Sequence, residues 1–78
     1  MTARVLYFAS LRDDAARPEE TVPAGGTLGD LYAALRERHG FRWTQAQLRV
    51  AVDGAFARWD DPVRDGAEVA FIPPVSGG

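Results

Sequence analysis

The sequence predicts an α+β fold with its elements in the order β-β-α-β-β-β. Three observations carry that expectation. Short β-rich apolar runs stand near both ends, at Val5-Leu6-Tyr7-Phe8-Ala9 and Val69-Ala70-Phe71-Ile72. A single amphipathic helix with its own start and stop signals lies between them, opening at Thr27. Turn pairs at Gly25-Gly26, Asp53-Gly54 and Asp65-Gly66 divide the remainder into short segments. One helix among several strands implies a sheet with the helix packed on one face.

Arg4 to Ala9 is too short and uncapped for a helix and reads as a largely buried strand. Ser10 to Arg17 is polar and is expected to be a loop. Glu19 to Val22 is a second short strand, closed by Pro23 and the glycine pair and expected to pair with the first. Thr27-Leu28-Gly29-Asp30 resembles a capping box with Asp in place of Glu. Asp30 also suits the positive end of the helix dipole. Leu28, Leu31, Tyr32 and Leu35 share one helical face, and Gly40 is a natural C-terminal stop. Phe41 to Gln47 fits either a loop or a short helical turn. Leu48 to Val52 is a third strand, turned tightly at Asp53-Gly54 into Ala55-Phe56-Ala57. Glu68 to Ile72 is the last strand, ended by Pro73-Pro74.

At 78 residues the chain fits one domain. A domain this small buries only about two-thirds of its unfolded surface, so it can hold one modest core but no deep active site. It has no cysteine, which removes disulfides, thiolate metal sites and thiol catalysis together. Net charge is −2, and no basic stripe interleaves with aromatics, so nucleic-acid binding is not expected. All nine basic residues are arginine, leaving no ε-amine for Schiff-base chemistry or isopeptide acceptance. No apolar run approaches a membrane span. Residues 1–11 are too short and interrupted for the apolar core of a signal peptide, and a cytoplasmic location is expected.

The remaining signal lies in Pro73-Pro74-Val75-Ser76-Gly77-Gly78. Two prolines bar further sheet pairing, and two glycines remove every side chain from the tip. The expected division is a folded domain over residues 1–73 and a flexible tail over 74–78, reaching roughly 15 Å when extended. Such a tip can enter a channel too narrow for a Cβ. A carboxylate is a poor electrophile. Adenylation by a partner with ATP would activate the Gly78 carbonyl, and a sulfur donor displacing AMP would leave a thiocarboxylate there.

Taken together, these residues resemble the small subunit of molybdopterin synthase, a sulfur carrier with a ubiquitin-like β-grasp fold. The likeness runs through Val5-Leu6-Tyr7-Phe8-Ala9-Ser10-Leu11-Arg12, Thr27-Leu28 with Leu31 and Leu35, and Ala51-Val52-Asp53-Gly54. Its most specific part is Asp65 through Gly78. The family often has Asn at the position of Asp53 and Asp at that of Ala67.

The resemblance implies a mixed sheet of about four to five strands with one main helix on one face. It further implies that an E1-like enzyme adenylates Gly78 using ATP and magnesium, and that a sulfur-donor enzyme supplies the sulfur. The tail (Pro74, Val75, Ser76, Gly77) would then enter the large synthase subunit within a heterotetramer and deliver sulfur to cyclic pyranopterin monophosphate. Catalytic side chains would belong to the large subunit. This chain would bind no cofactor or metal of its own. The same fold also serves the sulfur carrier of thiamin thiazole synthesis, non-covalent ubiquitin-like binding modules and lysine-conjugated modifiers.

A partner interface is expected at Phe8, Arg12, Phe56, Ile72 and Pro73. Phe8 fits core as well as interface, and Arg12 fits a solvated loop as well as a partner contact. Val69 and Phe71 share the opposite face from Ile72 and are expected in the core. His39 extends the Leu35 face and has no convergent partners in sequence, so it reads as structural. Asp13-Asp14 and Asp60-Asp61 read as solvated turn formers. Tyr32 and Trp59 read as packing residues, and Trp43 has no assigned role.

Overall fold

The computed structural model describes residues 1–74. Strand β1 (Thr2–Tyr7) is followed by helix α1 (Ala9–Ala15), strand β2 (Glu19–Pro23) and helix α2 (Leu28–His39). A 3-10 turn (Gln45–Gln47) then leads to β3 (Arg49–Val52), β4 (Ala55–Ala57) and β5 (Glu68–Ile72). The sheet order is β2-β1-β5-β3-β4. The two central strands, β1 and β5, run parallel, and the other neighbours are antiparallel. This is the β-grasp arrangement, a mixed sheet of five strands.

Local chemistry explains most boundaries. The Asp30 N–H donates to Thr27 Oγ1 at 3.1 Å and the Thr27 N–H donates to Asp30 Oδ2 at 3.3 Å, completing the capping box that starts α2. Gly40 ends α2 with a left-handed φ of 71°. Asp53 and Gly54 both have positive φ, as a two-residue hairpin turn between twisted strands requires.

Along β1 and β5, alternate residues fall on opposite faces. Ala3, Val5, Tyr7, Val69 and Phe71 point to the helix side, where Leu28, Tyr32 and Leu35 of α2 meet them in one buried core. The Phe71 ring lies edge-on to Tyr32 at 5.1 Å and stacks on Trp59 at 5.9 Å, so both aromatics pack as expected. Trp43 finds its place too: its indole N–H donates to Ser10 Oγ at 2.9 Å, tying the segment after α2 to α1.

The stretch expected to be a loop, Ser10 to Arg17, is largely helical instead. Its helix α1 is only seven residues long and lacks a side-chain N-cap bond. Tertiary burial holds it: Leu11 and Ala15, one turn apart, are both in the core. Ala16 closes it in a left-handed conformation at φ 59°. β1 and β2 thus pair antiparallel as expected, but through a helical connection.

Candidate functional site

The second face of the sheet is uncovered by α2 and carries the residues left over by the strand alternation. In register, Leu6 of β1 lies beside Ala70 of β5, Ala70 beside Ala51 of β3, and Ala51 beside Phe56 of β4. The four make one apolar row across four strands. Ile72, two residues beyond Ala70, lies beside Arg49. Phe8 has extended backbone and continues the β1 alternation onto this face.

Phe56 is 69% exposed and Phe8 46%, the largest exposed apolar side chains after Met1. The core reading of Phe8 is therefore excluded; the buried neighbour is Tyr7. Contiguous exposed apolar surface is a common feature of interaction sites.

The expected interface residues fall into two groups. Phe8, Ile72 and Phe56 are brought to one face. Pro73, half-buried, continues from Ile72 at the end of β5. Arg12 stands apart from the sheet, exposed on α1 one helical turn beyond Phe8. Pro74 is exposed. Val75, Ser76, Gly77 and Gly78 lie outside the described residues.

Sequence reasoning missed Leu6, Ala70, Ala51 and Arg49 as members of this face. The signal was present for Leu6 and Ala70, each two residues along the chain from Phe8 or Ile72, whereas Ala51 and Arg49 are placed by pairing across the sheet. Arg49 extends over the Phe56 ring, its guanidinium carbon 5.6 Å from the ring centroid.

Charges on the two faces are arranged differently. On the open face, Arg4 pairs with Glu68 and, at 3.4 Å, with Glu19. On the covered face, Glu20 is a buried carboxylate at 8% exposure. It accepts hydrogen bonds from Tyr7 Oη (2.8 Å) and Arg38 Nη1 (2.6 Å), and its Oε1 lies 2.8 Å from His39 Nε2. Burial pushes the Glu20 carboxyl up, but the bonds from Tyr7, His39 and Arg38 outweigh it and hold the group below its ordinary value. Burial and the adjacent carboxylate push the Tyr7 hydroxyl up. His39 is thus structural, through a partner its sequence neighbourhood did not reveal.

Comparison with known proteins places this architecture. The model of the ThiS family matches residues 5–78. The chain belongs to the ThiS family. It is 35% identical over 79 residues to the molybdopterin synthase sulfur carrier subunit of Escherichia coli, covering 96% of this chain and 98% of the relative. A solved structure from Pyrococcus furiosus, described as a putative molybdopterin converting factor subunit 1, aligns with TM-score 0.78 at 30% identity, covering 96% and 99% of the two chains. A Helicobacter pylori structure, the complex of subunits 1 and 2 of molybdopterin-converting factor, shares the fold with TM-score 0.71 at 24% identity over the full length of both chains. Within the ThiS family, then, this chain has curated homologues that are sulfur carrier subunits of molybdopterin synthase. Among its described residues no helix is long and apolar enough to cross a membrane.

Proposed function

We propose that this chain is the sulfur-carrier small subunit of molybdopterin synthase and that its reactive group is the Gly78 carboxylate. The observation that carries the reading is the apolar row Leu6–Ala70–Ala51–Phe56 on the open face, with Ile72 beside it on the strand that leads into Pro73-Pro74. A partner seated on that row is placed to receive whatever follows β5. The fold body over residues 1–73 is the handle, and residues 74–78 are the part that enters partners.

The chemistry follows from what a carboxylate lacks. An E1-like enzyme uses ATP and magnesium: the Gly78 carboxylate attacks the α-phosphorus, pyrophosphate leaves, and the carbonyl becomes an acyl-adenylate. Sulfide-level sulfur from a donor enzyme attacks the carbonyl carbon, the carbon–oxygen bond to AMP breaks, and a thiocarboxylate remains. The large subunit covers the open face, admits Pro74, Val75, Ser76, Gly77 and Gly78, and directs the sulfur onto cyclic pyranopterin monophosphate. The carbonyl returns to a carboxylate through attack by water. Glycine at both terminal positions leaves no side chain to obstruct a narrow passage.

Intact-mass measurement tests the reading. After incubation with the cognate activating enzyme, MgATP and a sulfur donor, the chain gains the mass difference between one sulfur and one oxygen, located at Gly78 by fragmentation. Deleting Gly78 abolishes that change and leaves the melting temperature unaltered. An unmodified mass where an established carrier reacts would overturn the proposal. Rescue of molybdenum-cofactor synthesis in a strain lacking its own carrier separates this role from thiamin thiazole synthesis.

A further inference from the structure

We infer that Arg49 is a charge-recognition residue of the open face, and that the large subunit sets a carboxylate against it. The inference rests on the reading of this face as the surface that the large subunit covers.

Arg4 and Arg49 both occupy open-face positions on their strands, and their circumstances differ. Arg4 is neutralised within the chain by Glu19 and Glu68. Arg49 forms none of the ion pairs found among the described residues. Arg49 is not at the margin either. It lies directly across from Ile72, and its guanidinium sits over Phe56, so two members of the apolar face flank it.

A partner that buries Ile72 and Phe56 must also strip water from Arg49. A cation desolvated without a counter-charge opposes association strongly, whereas one met by a carboxylate supports it and fixes register. The Arg49 guanidinium carbon lies over the Phe56 ring at 5.6 Å from its centroid, and its N–H groups make no side-chain hydrogen bond among the described residues. Such N–H groups match a carboxylate through two parallel hydrogen bonds.

The asymmetry between the two arginines makes the inference specific. At the Arg4 end of the face the cation is already paired with Glu19 and Glu68, which leaves one net negative charge there, and no acid is required from the partner. The Arg49 end, beside the strand that runs into the tail, requires an acid. Docking in the wrong register would bury Arg49 unpaired, so the pair would also align the tail with its destination.

The test is calorimetric titration of the full chain into the purified cognate large subunit, using wild type, R49M, R49K and R49E. R49M keeps an unbranched stem able to lie along Phe56 and removes only the charge. The expected result is that R49M weakens binding about thirty-fold or more, as for truncation of one member of a desolvated charge pair. R49K recovers part of the loss, and R49E binds more weakly than R49M. Melting temperatures stay together, because residue 49 is exposed. Binding by R49M within twofold of wild type would overturn the inference and leave the carrier reading standing. No binding by wild type, even with Gly78 thiocarboxylated as read by mass, would overturn the docking reading and this inference together.

Discussion

The same five strands present two faces, and the two are built to opposite ends. On the covered face, Val5, Tyr7, Val69 and Phe71 meet α2, and Glu20, the one buried carboxylate among the described residues, has three partners within the chain. On the open face, apolar side chains lie in register with no helix over them among the described residues, and Arg49 has no acidic partner there. A face that satisfies itself makes a stable body; under the proposed function, the one left unsatisfied is the surface offered to a second protein. Period-two alternation lets a 78-residue chain do both with one sheet.

The largest effects should come from exchanging a phenylalanine on each face for alanine. Phe71→Ala empties a fully buried site and is expected to cost about 3–5 kcal/mol of stability, a large share of what a domain this size holds. Chemical denaturation reads it directly. Phe56→Ala should change stability by less than about 0.5 kcal/mol, yet weaken binding to the large subunit by about 2 kcal/mol or more. Equal stability losses from both substitutions would erase the distinction between the faces.

Acid sharpens the comparison next. The Glu20 carboxyl is held below its ordinary value of 4.5, so the folded state binds its proton less readily than the unfolded state. The resulting stabilisation is complete above the unfolded value and is lost as pH falls through the lower folded one. Glu20→Gln removes that dependence and, at neutral pH, costs about 1–3 kcal/mol by stranding the donors of Arg38 and His39. Melting curves of both forms between neutral pH and about pH 3 should therefore converge in acid. Parallel curves would show that Glu20 makes no net contribution through its charge.

Much of this was legible in the sequence, and the rest was hidden for identifiable reasons. Thr27, Asp30 and Gly40 announce α2 because capping is local chemistry, carried by residues three apart or by one left-handed glycine. Phe56 was readable as surface from its short, edge-like strand, and Ile72 from strand alternation, which is local as well. Arg49 was missed because its meaning depends on residues across the sheet, Ile72 and Phe56, and pairing register is not written in any one strand. Glu20 was readable only as part of the short second strand. Its three partners lie 13, 18 and 19 residues away, so only the fold assembles them.

Helix α1 went unseen for a related reason, and it supplies the smallest predicted effect. Nothing local favours a seven-residue helix without a side-chain cap; the burial of Leu11 and Ala15 imposes it. The chain must then leave α1 through Ala16 at φ 59°, where an L-residue is strained by roughly 1–2 kcal/mol. Glycine removes that strain but adds about 0.5–1 kcal/mol of backbone entropy to be lost on folding. Ala16→Gly should therefore raise stability by at most about 1.5 kcal/mol, seen as a small rise in melting temperature. Because Phe8 and Arg12 lie earlier in the same turn-and-helix segment, affinity for the large subunit should stay the same. A stabilised variant that binds more weakly would mean that the geometry of α1, and with it the placement of Phe8, is set by the strained exit at Ala16 instead of by the burial of Leu11 and Ala15.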